Sequence, residues 1–213
     1  MMVKKLISIV AFCLAGCFSK QQKNILPFYN TPDFTPQWLA DSDKDYSSVH
    51  TIADFQLINQ QGKIVTNKNV QGKIYVANFF FTKCTGICPK MNNNLKKVAD
   101  VFKTNSNVII LSHTVMPEAD TVARLEEYGK KEKIDPEKWW LLTGNKHEIY
   151  KLARQSYFVD EEFGYNRSSN DFLHTENAVL VDREGRIRGV YNASLALEMD
   201  KLAEHINLLL AEE

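Results

Sequence analysis

Residues 73–97 read KIYVANFFFTKCTGICPKMNNNLKK, and this stretch decides the fold. It opens on an apolar run of β-branched and aromatic residues, IYVANFFF at 74–81, the pattern of a central strand buried on both faces. The chain then turns through Thr82 and Lys83 into Cys84-Thr85-Gly86-Ile87-Cys88-Pro89. Beyond Pro89 the apolar residues Met91, Leu95, Val98 and Phe102 recur at spacings of three and four, which predicts a helix. Proline suits the first helical position, where its missing N–H costs nothing. Cys88 is therefore the expected N-cap, with Cys84 in the loop before it. A helix N-terminus flanked by Lys83 and Lys90 favours thiolate at both sulfurs, the form that attacks disulfides and binds soft metals.

Upstream, residues 50–57 alternate as a strand, Asn59-Gln60-Gln61-Gly62 supplies a turn, and residues 63–66 pair back as a β-hairpin. Downstream, residues 107–112 read as a second buried strand, and 118–131 as a helix with Val122, Leu125 and Tyr128 on one face. A short strand at 139–142 and a short helix at 146–154 follow. A long polar stretch, 160–171, delivers the chain to His174; loops of that length in a compact domain serve function or are disordered. Residues 178–181 and 187–191 form a hairpin around Asp182-Arg183-Glu184-Gly185, and a helix from Ser194 closes the chain with Leu195, Met199, Leu202, Ile206 and Leu209 inward. Strands alternating with helices predict an α/β domain with a central mixed sheet flanked by helices and an N-terminal β-hairpin. A cysteine pair where the first central strand meets its helix is the thioredoxin-like arrangement.

The N-terminus is of another kind. Lys4 and Lys5 precede an apolar run, 6–15, that is too short to span a bilayer, which needs roughly 20 residues. This is the pattern of an export signal, and Leu14-Ala15-Gly16-Cys17 resembles a bacterial lipoprotein processing site. The expected organisation is a lipoprotein-type signal peptide at 1–16, a tether and irregular lead-in at 17–50 lipidated at Cys17, and a thioredoxin-like domain at 51–213. The mature protein would then be exported and held to the membrane by lipid, facing the periplasm or the cell exterior. The chain carries 26 basic and 26 acidic residues, a balance that gives no electrostatic ground for a nucleic-acid partner.

Of four cysteines, Cys13 leaves with the signal and Cys17 takes lipid, so Cys84 and Cys88 alone remain in the mature domain. The tiny loop between them cannot staple a fold of this size, and in an oxidising compartment such a pair is a redox couple or a metal site. Residues four apart at a helix start have Cβ atoms about 5–6 Å apart, wider than the roughly 3.5–4.5 Å of a disulfide. Two thiolates sharing one soft metal tolerate that separation, and copper(I) suits them. The spacing permits both thiol chemistry and copper binding and does not choose between them.

Three motifs in order, FFFTKCTGICPKM, LSHTVMPEADT with the later WWLLTG, and LHTENAVLVDREGRIRGVY, resemble the Sco (SenC) family of thioredoxin-like, copper-binding assembly proteins. The match runs over roughly residues 50–210. The resemblance implies Cys84 and Cys88 as thiolate ligands and His174 as an imidazole ligand for one copper ion, Cu(I) or Cu(II). It also implies a role in maturing the dinuclear copper centre of cytochrome c oxidase subunit II, by delivering copper or by reducing that centre's cysteines. The copper donor and the thiol reductant are not implied. Two departures stand out. Thr85 replaces a common proline, and Leu173 and Thr175 replace a common Asp and Ser around the histidine. The alternative from another class is a thiol–disulfide oxidoreductase with Cys84 and Cys88 as its redox pair. A peroxidase is disfavoured, since no cysteine comes with its own base. Among other histidines, His50, His147 and His205 are expected on the surface. His113 ends a strand beside the one leading to Cys84 and is a candidate second-sphere group. Asn78, polar within the first core strand, has no role legible in the sequence.

Overall fold

The computed structural model describes residues 26–40, 42–159, 173 and 175–212; Cys17 and His174 lie outside the described residues. Among the described residues nine strands and their helices follow in order: β1 (Phe28–Tyr29), β2 (Pro36–Gln37), a 3-10 turn (Lys44–Ser48), β3 (Gln56–Asn59), β4 (Ile64–Thr66) and α1 (Asn67–Val70). Then come β5 (Ile74–Phe80), α2 (Cys88–Val101), β6 (Val108–Thr114), α3 (Val122–Lys131), β7 (Trp139–Thr143) and α4 (Lys146–Lys151), which runs into a π turn (Leu152–Ser156). The chain closes with β8 (Asn177–Val181), β9 (Ile187–Asn192) and α5 (Ala196–Ala211). Strands β3 to β9 make one mixed sheet in the order β4-β3-β7-β6-β5-β8-β9, and β1 and β2 pair separately.

The apolar run predicted as the central strand is β5, buried along its whole length. It pairs parallel with β6 on one side and antiparallel with β8 on the other, so neither edge is left open to a foreign strand. Its side chains alternate between two cores. Ile74, Val76 and Phe80 pack with Met91, Leu95 and Val98 of α2 and with Met199, Leu202 and Ile206 of α5. Tyr75, Ala77 and Phe79 pack on the opposite layer with Ile149, Tyr150 and Tyr157. Leu95 is completely buried, and truncating such a residue to alanine costs about 2–5 kcal/mol. Asn94 Nδ2 donates to Ala193 O at 2.9 Å, tying α2 to the start of the closing helix segment.

Asn78 takes part in a buried polar chain. Trp139 Nε1 donates to Ser112 Oγ at 2.7 Å, and Ser112 Oγ donates to Asn78 Oδ1 at 2.5 Å. An indole N–H deep in a core needs such a partner. This chain, invisible in a linear reading, locks three adjacent strands together.

Four elements differ from their sequence expectation. The closing helix expected from Ser194 begins at Ala196, and Leu195, expected inward, is exposed ahead of it. The strand expected over 50–57 is paired only from Gln56, apart from a bridge of Thr51 to Arg186. Its backbone donors go elsewhere: Ile52 N to Gly185 O, Ala53 N to Ser156 Oγ and Phe55 N to Asn67 Oδ1. The helix expected from 118 starts at Val122, where Thr121 Oγ1 accepts from Arg124 N, because Asp120 is drawn into the core. Cys88 is the first residue of α2 rather than its N-cap: Lys90 N and Met91 N both donate to Ile87 O, so helical bonding begins one residue early.

The lead-in from Leu26 is packed onto the domain. Arg188, 2% exposed, donates to Leu26 O, Pro27 O, Asp182 and Glu212, and its guanidinium lies 4.3 Å from the Phe28 ring centre. A buried arginine is tolerable only when its donors and charge are matched in this way.

Candidate metal and redox centre

The centre stands at the C-terminal end of β5, where parallel strands present their carbonyl ends and open sheets place their chemistry. Cys84 is half-buried and Cys88 is 6% exposed, and both thiols are free. Thr85 and Gly86 between them are exposed. Cys84 N–H donates to Phe81 O at 3.2 Å, and Cys88 N–H points at Cys84 Sγ at 3.5 Å.

The two sulfurs are unequal. Burial works against a Cys84 thiolate, but the Cys88 thiol and the N–H groups of Cys88, Gly86 and Ile87 outweigh it and hold the thiol below its ordinary range. Cys88 goes the other way: burial, then the neighbouring Cys84, push it well up, and the Phe81 N–H offsets this only in part. The expectation of thiolate at both sulfurs is therefore corrected. The helix start activates the sulfur in the loop, while desolvation dominates at the sulfur beneath it.

Tyr128 and Asn92, neither singled out by sequence, stand beside the pair. Asn92 Nδ2 donates to the Tyr128 hydroxyl, and the Tyr128 ring lies 5.6 Å from that of Phe80. Burial raises the Tyr128 phenol, so it stays protonated. The Asn92 spacing, one turn after Cys88, was the available signal.

His113 is removed from the candidate set. It pairs with Phe79 across β5 and β6 and shares the Phe79 side of the sheet, away from α2. Its ring stacks on Phe79 at 5.0 Å and lies 5.5 Å from Tyr157. Burial depresses its pKa to about 4. Strand alternation puts it across the sheet from the cysteines. His147 is exposed as expected. His50 and His205 are half-buried instead: His50 Nε2 donates to Ser156 O at 2.8 Å, and His205 Nδ1 lies 2.6 Å from the Tyr191 hydroxyl.

The flanks of residue 174 converge on the cysteine end. Ala178 pairs with Asn78, so β8 begins where β5 ends. Thr175 is buried with its hydroxyl accepting from Asn177 N at 3.1 Å, and Leu173 is 1% exposed in the Phe79 core. Among the described residues no cluster of three or more His, Cys, Asp or Glu could hold a metal. Two soft sulfurs within one helical turn nonetheless fit a copper(I) donor set. A cavity of about 580 Å³ lies at the other end of the sheet among Ile74, Arg183, Arg186, Arg188 and Glu212, and neither sulfur lines it.

A strand, a CxxxC loop and a helix, with one activated and one buried thiol, define a thioredoxin-like dithiol protein. Residues 43–211 match the family model described as SCO1/SenC, and the chain belongs to that family. It is 29% identical over 147 residues to an SCO1 protein homolog of Bacillus subtilis, covering 67% of this chain and 74% of that one. Against an SCO2-like protein of Rickettsia typhi it is 30% identical over 135 residues, which is 62% of this chain and 65% of that one. A SCO1/SenC family lipoprotein of Bacillus anthracis superposes with a TM-score of 0.66 at 26% identity, covering 76% of this chain and 95% of that one. The copper-bound structure of Bradyrhizobium japonicum ScoI gives 0.60 at 28% identity, with 75% and 99% covered.

Proposed function

We propose that this chain is a copper-binding protein that serves the assembly of cytochrome c oxidase through Cys84, Cys88 and His174. The observation that carries this reading is the soft-donor pair at the start of α2, in a family whose relatives are known with copper bound. Cys84 and Cys88 supply two thiolate donors, and His174 supplies the nitrogen that lets the site hold Cu(II) as well as Cu(I). When bound, copper is cargo for the dinuclear centre of oxidase subunit II.

The dithiol supports a second act of the same protein, reduction of that centre's cysteines. Cys84 thiolate attacks one sulfur of a partner disulfide and forms a mixed disulfide, releasing the partner's other sulfur as thiolate. Cys88, once deprotonated, attacks the Cys84 sulfur, closes the Cys84–Cys88 disulfide and frees the second partner thiolate. Two electrons pass to the partner, and the two thiol protons are available to its thiolates. The inequality of the two thiols favours this order, the more accessible one attacking and the buried one resolving.

The organisation completes the reading: a signal peptide at 1–16, lipid at Cys17, a tether, and a domain held at the outer side of a membrane. The family relative described as a lipoprotein supports it.

The test is copper stoichiometry on the mature protein with both thiols reduced. One copper(I) per chain is expected. No bound copper sinks the copper reading and leaves the oxidoreductase one.

A further inference from the structure

Asp120 is a carboxylate only 1% exposed, set between β6 and α3. Its Oδ2 accepts from Thr82 N–H at 3.0 Å and from the Thr114 hydroxyl at 2.5 Å, while Oδ1 accepts from the Thr82 hydroxyl at 2.6 Å. Arg124 Nε reaches Thr82 Oγ1 at 3.2 Å. Three donors on one buried side chain make a strong anchor, because breaking any of these bonds would leave a desolvated polar group unpaired.

What the anchor holds is the chain entering the cysteine loop. Thr82 N–H and Phe81 C=O belong to one planar peptide unit. Its N–H edge is fixed on Asp120, and its carbonyl edge accepts Cys84 N–H at 3.2 Å. One peptide unit therefore meets both Asp120 and Cys84, the residue that opens the cysteine loop. A carboxylate on the N–H also polarises the amide and strengthens its carbonyl as an acceptor.

We propose that Asp120 is a positioning residue for the cysteine pair, and that its hold on the Phe81–Thr82 peptide biases Cys84 and Cys88 toward the open dithiol. This rests on the reading of the pair as a redox and metal centre. Closing a disulfide across this spacing requires the loop to shift. An anchored peptide resists that shift, and a loosened one permits it. The dithiol form is also the one that offers two sulfurs to a metal.

The test is metal-free. The mature protein is equilibrated with oxidised and reduced glutathione, and its dithiol and disulfide fractions are counted by alkylation and mass. In each conversion one glutathione disulfide takes two electrons and two protons from Cys84 and Cys88 and becomes two glutathiones. Asp120→Asn is expected to raise the equilibrium constant for disulfide formation about tenfold, corresponding to ~30 mV for a two-electron couple. Thr82→Val, which removes the hydroxyl but keeps the peptide N–H, should shift it the same way by less. Asp182→Asn is the control for mere destabilisation: Asp182 is also buried and paired with Arg186 and Arg188, but at the other end of the sheet, and should stay within twofold of wild type.

A folded Asp120→Asn within twofold of wild type overturns the proposal, as does an equal shift in Asp182→Asn. Should Asp120→Asn fail to fold, Thr82→Val decides, a shift supporting the proposal and its absence overturning it. A wild type that forms no internal disulfide overturns the redox reading itself, a result distinct from a variant matching a competent wild type.

Discussion

Phe79 and His113 face each other across β5 and β6 with rings stacked 5.0 Å apart, on the side of the sheet that Cys88 does not share. The contact makes His113 a member of an aromatic core with Phe55 and Tyr157. Among the described residues neither of its ring nitrogens has a hydrogen-bond partner.

The first expectation concerns acid. His113 is depressed to about 4 from an ordinary 6.5, so between those values the unfolded chain binds a proton that the folded chain refuses. Stability should therefore fall as pH drops from 6.5 to about 4, by about 3 kcal/mol in all, and then level. His113→Phe should abolish that part of the loss while costing less than about 1.5 kcal/mol at neutral pH. Urea melts of both proteins across this range measure it. Equal acid sensitivity in the two would show that His113 is not the titrating group.

Labelling should separate the thiols. In the native, reduced protein iodoacetamide should modify Cys84 roughly tenfold or more faster than Cys88, since reactivity follows thiolate fraction and access. Peptide mass mapping after a short pulse gives the ratio. Comparable rates would remove the attacking and resolving roles assigned above.

His174→Ala should leave the Cys84–Cys88 couple able to cycle but weaken copper(II) at least ~10-fold, and copper(I) less. Cys84→Ser or Cys88→Ser should abolish cycling and tight binding of both copper states. Affinity of the wild type should also weaken as pH falls, because thiols must lose protons to ligate. Titrations with each copper state, paired with free-thiol counts, test the set. Wild-type copper(II) affinity in His174→Ala would mean that the histidine is no ligand.

Cys17→Ala should move the exported protein from the membrane to the soluble fraction, since each buried acyl CH₂ contributes about 0.8 kcal/mol of anchoring. Among the described residues no helix is long and apolar enough to cross a membrane. Continued full membrane association of the variant would point to another anchor or an uncleaved signal.

Much of the fold was legible locally. The apolar run at 74–81, the period of three and four after Pro89 and the hairpin around Gly185, whose φ is +80°, each carry their structure in their own composition and spacing. The cysteine pair was legible for the same reason: its loop and helix start are contiguous in the chain. The histidine motif was legible only as a resemblance, because nothing local distinguishes His174 from a surface histidine.

What tertiary structure alone decided concerns faces and burial. Whether His113 joined the cysteines or opposed them depended on which way one residue of an inner strand points, and only pairing with Phe79 sets that register. The inequality of Cys84 and Cys88 follows from packing over the second sulfur, a desolvation that no spacing rule contains. Asp120 meets Thr82 across 38 residues of chain, and Asn78 meets Ser112 and Trp139 across three strands. Periodicity and turn chemistry report short-range order along the backbone. Desolvation and buried hydrogen bonds are settled by neighbours distant in sequence, and exist only once the sheet has closed.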